Sequence, residues 1–175
     1  MRWIFLIAGC LVMTLAGCAS SGVISHASAV ATSRPVSLDF IVVETSSSLP
    51  DAAAEERLLN DKLITGLRDS HFFGTVAGNK ADTNSGSGMT VKADLQEIKR
   101  VSPDARTWFG ALAGQARILV QVTVSDLNSG DPIQTFKVEG QSGASARAGT
   151  TDEAVQRAAQ LIVAEMIRIS RLTSQ

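Results

Sequence analysis

Apolar and polar residues alternate with a period of two along much of the chain, as they do in half-buried β-strands. The alternation predicts strands over residues 36–45, 89–101, 116–124 and 132–141, with a short strand near Val76. In the first of these, both faces are apolar, which is typical of an inner strand. The alternation slips between Gln96 and Ile98, as a β-bulge would cause.

Two other segments carry the 3.6-residue period of amphipathic helices. In residues 52–69 the apolar stripe is Leu59, Leu63 and Leu67, and Ser48 or Asp51 is the predicted N-cap. The second helix follows Thr150 and Thr151, either of which can cap it. Its predicted apolar stripe comprises Val155, Ala158, Ala159, Ile162, Met166 and Ile169.

The order β-α-β-β-β-β-α predicts an α+β domain over residues 36–172. We expect an antiparallel or mixed sheet of about five strands, covered on one face by the two helices. The segment 126–131 is the predicted hairpin turn, with Gly130 suited to a positive φ. Because Pro132 cannot donate to the ladder, the strand that it begins is expected near an edge of the sheet.

The N-terminus has the pattern of an export signal. Arg2 precedes an apolar run from Trp3 to Leu15, which is shorter than the roughly 20 residues that a transmembrane helix needs. A signal h-region of about 7–15 residues fits better. An uncleaved anchor and an ordinary secretory signal are the alternatives.

The end of this run, Leu15-Ala16-Gly17-Cys18, resembles the lipobox of bacterial lipoprotein signal peptides. The resemblance implies that residues 1–17 are removed and that Cys18 is acylated (palmitate among its chains) and becomes the new N-terminus. Residues 18–35 are small and polar and are predicted to form a lipidated flexible tether. Ala19 stands where Asp would suggest retention in the inner membrane. We therefore expect a protein of the cell envelope, attached to the outer membrane and facing the periplasm.

Composition excludes several kinds of chemistry. The chain has two cysteines, of which Cys10 lies in the signal and Cys18 at the lipid site, so the domain is predicted to lack disulfides and thiolate ligands. His26 and His71 alone make a metal site improbable, and no motif points to catalysis, a cofactor or a small-molecule substrate. A net charge of −1 argues against nucleic-acid binding. The chain is therefore predicted not to be an enzyme.

One loop, residues 102–114, is a candidate for docking another protein. It carries Arg106, Trp108, Phe109 and Leu112 between two predicted strands, and Trp and Arg are favoured anchors at interfaces. Two alternatives stay open. The rings could cap an end of the sheet, or they could enter a lipid headgroup layer.

The chain also resembles the bacterial envelope lipoproteins of the domain-of-unknown-function 4410 type. The resemblance rests on Asp39-Phe40, on Phe73-Gly74-Thr75-Val76, on an Arg- and Gly-bearing loop before a Val-rich strand, on Asp126–Gly130 and on the Ala- and Ile-rich last helix. Its architecture is also similar to other periplasmic lipoprotein domains, including the curli-secretion channel subunit. The resemblance implies a location and a fold, and no mechanism.

The main hypothesis is a lipid-anchored, non-enzymatic envelope protein that binds another protein or a second copy of itself. The alternative is a subunit of an outer-membrane secretion or export pore, similar to the curli channel. The charged residues Lys92, Asp94, Lys99 and Arg100 fit a membrane-spanning strand only if all face a lumen, and the slip in alternation prevents this.

Overall fold

The computed structural model describes residues 22–27, 40–78, 88–101, 114–143 and 149–173. Six strands and two helices lie within these ranges. They are β1 (Gly22–Ala27), β2 (Phe40–Ser47), α1 (Ala53–Asp69), β3 (Thr75–Gly78), β4 (Met89–Lys99), β5 (Arg117–Asp126), β6 (Pro132–Gln141) and α2 (Thr151–Thr173).

The six strands form one mixed sheet in the order β1-β6-β5-β4-β2-β3. β2 is parallel to β3 and β4, and the remaining pairs are antiparallel. This confirms the predicted α+β class with two helices. It also confirms the inner position of β2, which pairs on both sides. Three of its residues, Ile41, Val42 and Val43, are fully buried.

β1 corrects two expectations from the sequence. It lies inside the segment 18–35, for which a flexible tether is predicted, and it pairs antiparallel with β6 from Gly22 opposite Glu139. The prediction that β6 lies near an edge is refined, because β6 is second from the edge and β1 forms the edge itself. Pro132 is tolerated because it is the first residue of β6.

Both helices pack on one face of the sheet, and the core lies between the two layers. The predicted stripe of α1 is confirmed, since Leu59, Leu63 and Leu67 are fully buried. Phe73 and Val76 also join the core as expected. Every member of the α2 stripe is buried, namely Val155, Ala158, Ala159, Ile162, Met166 and Ile169.

The two helices begin differently. Ala52 is the N-cap of α1 and no side chain caps it, so the prediction of Ser48 or Asp51 is wrong. Asp51 instead has a φ of 60°, which turns the chain into the helix. At α2 the Thr150 Oγ1 accepts from the Glu153 N–H at 3.1 Å, and Glu153 Oε2 accepts from the Gly149 N–H at 2.9 Å. The predicted Thr cap of α2 is confirmed.

Two local features of the sheet also agree with the sequence. The register of β4 against β5 shifts between Leu95 and Glu97, which confirms the bulge. The turn between β5 and β6 contains Gly130 at a φ of 75°. In that turn the Asp126 Oδ1 accepts from two backbone N–H groups, of Asn128 and Ser129, each at 2.9 Å.

Candidate interaction surface

The site residues predicted from the sequence lie outside the described residues. They are Leu15, Ala16, Gly17 and Cys18 at the signal and Arg106, Trp108, Phe109 and Leu112 in the loop. The structure shows only the described residues that flank the signal and the loop. Val101 follows β4 and Gly114 precedes β5, at the end of the sheet where β1 begins with Gly22. We call this the Gly22 end.

The surface that the structure does describe is the side of the sheet away from the helices, here called the open face. Alternation in β2, β4, β5 and β6 sends the apolar residues to the helices and the polar ones to this side. Its polar members are Glu44, Thr90, Lys92, Asp94, Gln96, Gln121, Thr123, Thr135, Lys137 and Glu139, all partly or fully exposed. Two apolar residues also point to this side, of which Leu119 is partly exposed and Val42 is fully buried. Neither described helix covers the open face.

Polar side chains on the open face bind one another across the strands. Arg117 Nε lies 2.8 Å from Glu139 Oε1, and Lys92 Nζ lies 3.5 Å from Glu44 Oε2. The Gln96 amide donates to Gln121 Oε1 at 3.0 Å. Cross-strand pairs of this kind fix the register, although exposed ion pairs add little stability. The result is a flat surface that presents both signs of charge together with hydrogen-bond donors and acceptors.

A shallow cavity of about 200 Å³ lies on the open face beside the β5–β6 turn. Its lining includes Glu44, Lys92, Thr123 and Ser125. A second groove, of about 330 Å³, runs between α1 and α2 on the outer side of the helix layer. There a Cβ on Gly66 would lie 3.0 Å from a methyl carbon of Val163, so the missing side chain lets the helices approach.

Glu55, on the first turn of α1, is buried and paired with Arg100 at the end of β4. The Arg100 Nε donates to Glu55 Oε1 at 2.8 Å, and its Nη2 donates to the Asp51 carbonyl at 2.7 Å. The hydrogen bond from Arg100 lowers the pKa of the Glu55 carboxyl, against the opposing effect of burial. Glu55 is therefore a fixed negative charge that ties α1 to the Gly22 end of the sheet.

A second buried carboxylate, Glu165 on α2, faces the sheet. Gln134 of β6 donates to Glu165 Oε1 at 3.4 Å, and Arg168 donates to both of its oxygens at 2.9 and 2.5 Å. This hydrogen bonding raises the pKa of the Arg168 guanidinium. Glu165 is not a member of the apolar stripe predicted for α2, and yet only 7% of it is exposed. The sequence signal for its burial is Gln134, a polar residue at an inward position of β6.

In the described ranges no group of three or more His, Cys, Asp or Glu side chains could hold a metal ion. Among the same residues, no helix has the length and apolar character needed to cross a bilayer. The described residues therefore present the open face, with its side chains held in place by cross-strand ion pairs and hydrogen bonds.

Comparison with known proteins bears on the fold alone. No protein-family model and no curated protein matches the sequence. The resemblance to the 4410 type therefore stays a prediction.

Among solved structures, a variant PelC dodecamer from Paraburkholderia phytofirmans has a TM-score of 0.51 at 15% identity, covering 89% of this chain and 100% of that one. The fold is similar to that of PelC. A DUF330 protein from Xanthomonas campestris has a TM-score of 0.49 at 15% identity, covering 81% of this chain and 91% of its own. A protein from Caulobacter crescentus, described as a candidate lipoprotein, has a TM-score of 0.38 at 14% identity, covering 75% and 90%. These likenesses concern the fold alone.

Proposed function

We propose that this chain is a lipid-anchored lipoprotein of the bacterial envelope, of the 4410 type, whose domain binds another protein and catalyses no reaction. The anchor is Cys18, in the outer membrane, and the domain faces the periplasm. The sequence Leu15-Ala16-Gly17-Cys18 supports the anchor. The observation that carries the binding role is the open face, a wide polar surface on a rigid sheet.

The size of the open face suits a protein partner. Four strands, each about 4.8 Å wide and about 30 Å long, give a surface of about 600 Å². A standard interface buries about 800 Å² on each partner, so a partner must also contact the rim. The predicted docking loop attaches to the described chain at Val101 and Gly114.

The described carboxylates with altered pKa values support a structural role. A general acid or base works best with a pKa near the working pH. The pKa of the Glu55 carboxyl is lowered. In Glu153 burial alone would raise the pKa, but hydrogen bonds from Arg157 and from the backbone of Gly143 and Gly149 lower it. Both groups are therefore ionised anchors of the helix N-termini at neutral pH.

Two measurements test the proposal. The mass of the mature protein from bacterial membranes should show an acylated Cys18 as its first residue, whereas a free amino terminus upstream of residue 18 would overturn the anchor. A photo-crosslinking residue at Thr123, on the open face, should trap a defined envelope protein in intact cells. The matched control at Gln160, in the groove between the helices, should trap much less. Equal trapping at the two positions would contradict the role of the open face.

A second candidate, self-assembly as a subunit of an outer-membrane export pore, is favoured by one observation. The solved PelC protein, whose fold is similar, forms a dodecamer. In this case the crosslinks from Thr123 should join two copies of the same chain, and light scattering of the purified protein should give a multiple of its 18.4 kDa chain mass, less the signal. A monomer that crosslinks only to another protein would exclude assembly of this kind.

A further inference from the structure

The structure shows that the fold begins very close to the proposed lipid site. β1 starts at Gly22, and only Ala19, Ser20 and Ser21 separate it from Cys18. We propose that the domain is held directly against the bilayer with its Gly22 end facing the lipid headgroups. This inference rests on the proposed acylation of Cys18.

Chain length sets the distance. The four residue steps from Cys18 to Gly22 span at most about 14 Å, even when the chain is fully extended. A tether that ran free to residue 35 would reach roughly 50 Å or more. Gly22 is therefore confined to the neighbourhood of the headgroup layer, which is itself about 6 Å thick on each side.

β1 is a true part of the domain, so this confinement applies to the whole fold. Gly22 and Val23 pair with Glu139 and Val138 of β6. The side chain of Val23 packs against the hydrophobic core. The anchor cannot move away from the sheet unless this strand separates from β6.

The strand directions decide which end faces the lipid. β6 ends, β5 begins and β4 ends at the Gly22 end, where Arg117 stands opposite Gln141 and Lys99. The turn between β5 and β6, which contains Asn128, lies at the opposite end. Because β5 has ten residues, the two ends are separated by about 30 Å.

The surface near this end fits contact with neutral headgroups. Ile24 is a large apolar side chain with 54% of its surface exposed, and it lies at the bulge of β1, two residues from Gly22. The cations Lys99 and Arg117 are balanced there by Glu97 and Glu139. We therefore expect the tether, and not surface charge, to orient the domain, and zwitterionic lipid should suffice.

The test uses the acylated protein in phosphatidylcholine vesicles that carry a nitroxide quencher at the headgroup. The mature chain has no second cysteine, so one introduced thiol can carry a fluorophore. Lys99→Cys labels the Gly22 end and Asn128→Cys labels the opposite end. We expect strong loss of fluorescence at residue 99 and near-background loss at residue 128. Equal loss at both positions, with the protein on the vesicles, would overturn the orientation.

A spacer variant tests the cause. Fifteen Gly and Ser residues inserted between Ala19 and Ser20 should leave the protein bound to vesicles in flotation but abolish the difference between the two labels. If the difference survives, the short tether is not its cause and the inference fails. Failure of the proposed function looks different. The unmodified chain would then not float with the vesicles at all, and its mass would show no acyl groups.

Discussion

The two faces of the sheet are formed by alternate residues of the same strands, yet one face is apolar and buried and the other is polar and largely exposed. On β6, Phe136 faces the helices and is 1% exposed, whereas its neighbour Lys137 lies on the open face and is partly exposed. The helix side is held by aliphatic packing over a long contiguous core. The open face is held by cross-strand hydrogen bonds and ion pairs. Substitutions on the helix side are therefore expected to cost more stability than substitutions on the open face.

The largest expected effect comes from removing bulk on the helix side. Phe136→Ala should lower the free energy of unfolding by about 3–5 kcal/mol, because it deletes a fully buried ring and leaves a cavity. Lys137→Ala, one residue along the same strand, should change it by less than about 0.5 kcal/mol. Urea denaturation of the domain measures both. Similar losses in the two variants would contradict the division between the faces.

The next largest effect tests how closely β6 approaches α2. A Cβ on Gly140 would collide with the carbonyl oxygen of Ala154 and would lie 2.9 Å from the Ala158 Cβ. Gly140→Ala should therefore cost about 3 kcal/mol, as overpacking between backbones does.

The matched control is Gly78→Ala, where the new methyl group would meet only the terminal carbon of Ile64 at 2.9 Å. That side chain can move, so the cost should be much smaller. Thermal unfolding of both variants measures the difference. If Gly140→Ala costs little stability, the helix layer and the sheet can move apart to make room for the methyl group.

A smaller effect, with a defined pH dependence, is expected at Glu55. Its pKa is lowered in the folded state, so the pair with Arg100 stabilises the fold fully above the ordinary carboxyl value of 4.5. This contribution is lost as the pH falls through the lowered pKa. Glu55→Gln should therefore be less stable than the native chain at pH 7, and the gap should close in acid. Glu56→Gln, on the same turn of α1 and outside the pair with Arg100, is the matched control.

The smallest effect on stability is expected on the open face itself. Lys92→Glu breaks the exposed pair with Glu44 and should change the unfolding free energy by no more than about 1 kcal/mol. It should nevertheless weaken photo-crosslinking from Thr123, because it reverses a charge on the contact surface. Lys62→Glu, in the groove between the helices, is the matched control for charge. Unchanged crosslinking in the Lys92 variant would remove the open face from the interface.

The sequence predicts the fold well wherever local patterns carry the information. Leu59, Leu63 and Leu67 repeat every four residues, and Val120 and Val122 alternate with polar neighbours, so period alone identifies their elements. β1 is missed because its ordering comes from a partner strand far away in the chain. The cap of α1 is missed because Asp51 turns the backbone and does not accept a hydrogen bond from it.

The candidate surface is only partly visible in the sequence. Alternation identifies which side chains of β4 and β5 face away from the core, and the element order predicts that both helices cover the other face. Neither pattern identifies which polar side chains pair across the strands. The buried pair of Gln134 and Glu165 is missed for a similar reason, since each residue appears polar and solvated in its own element. Such pairs become evident only when two elements are packed together.

The pairing of β1 with β6 has a consequence for how the molecule is made. Val23 pairs with Val138, so β1 cannot take its place in the sheet until almost the whole chain has been synthesised. Contacts between such distant residues form late in folding. During this interval the edge of β6 that β1 will occupy lacks its partner strand. If Cys18 is acylated as proposed, the last strand to pair is also the strand next to the lipid.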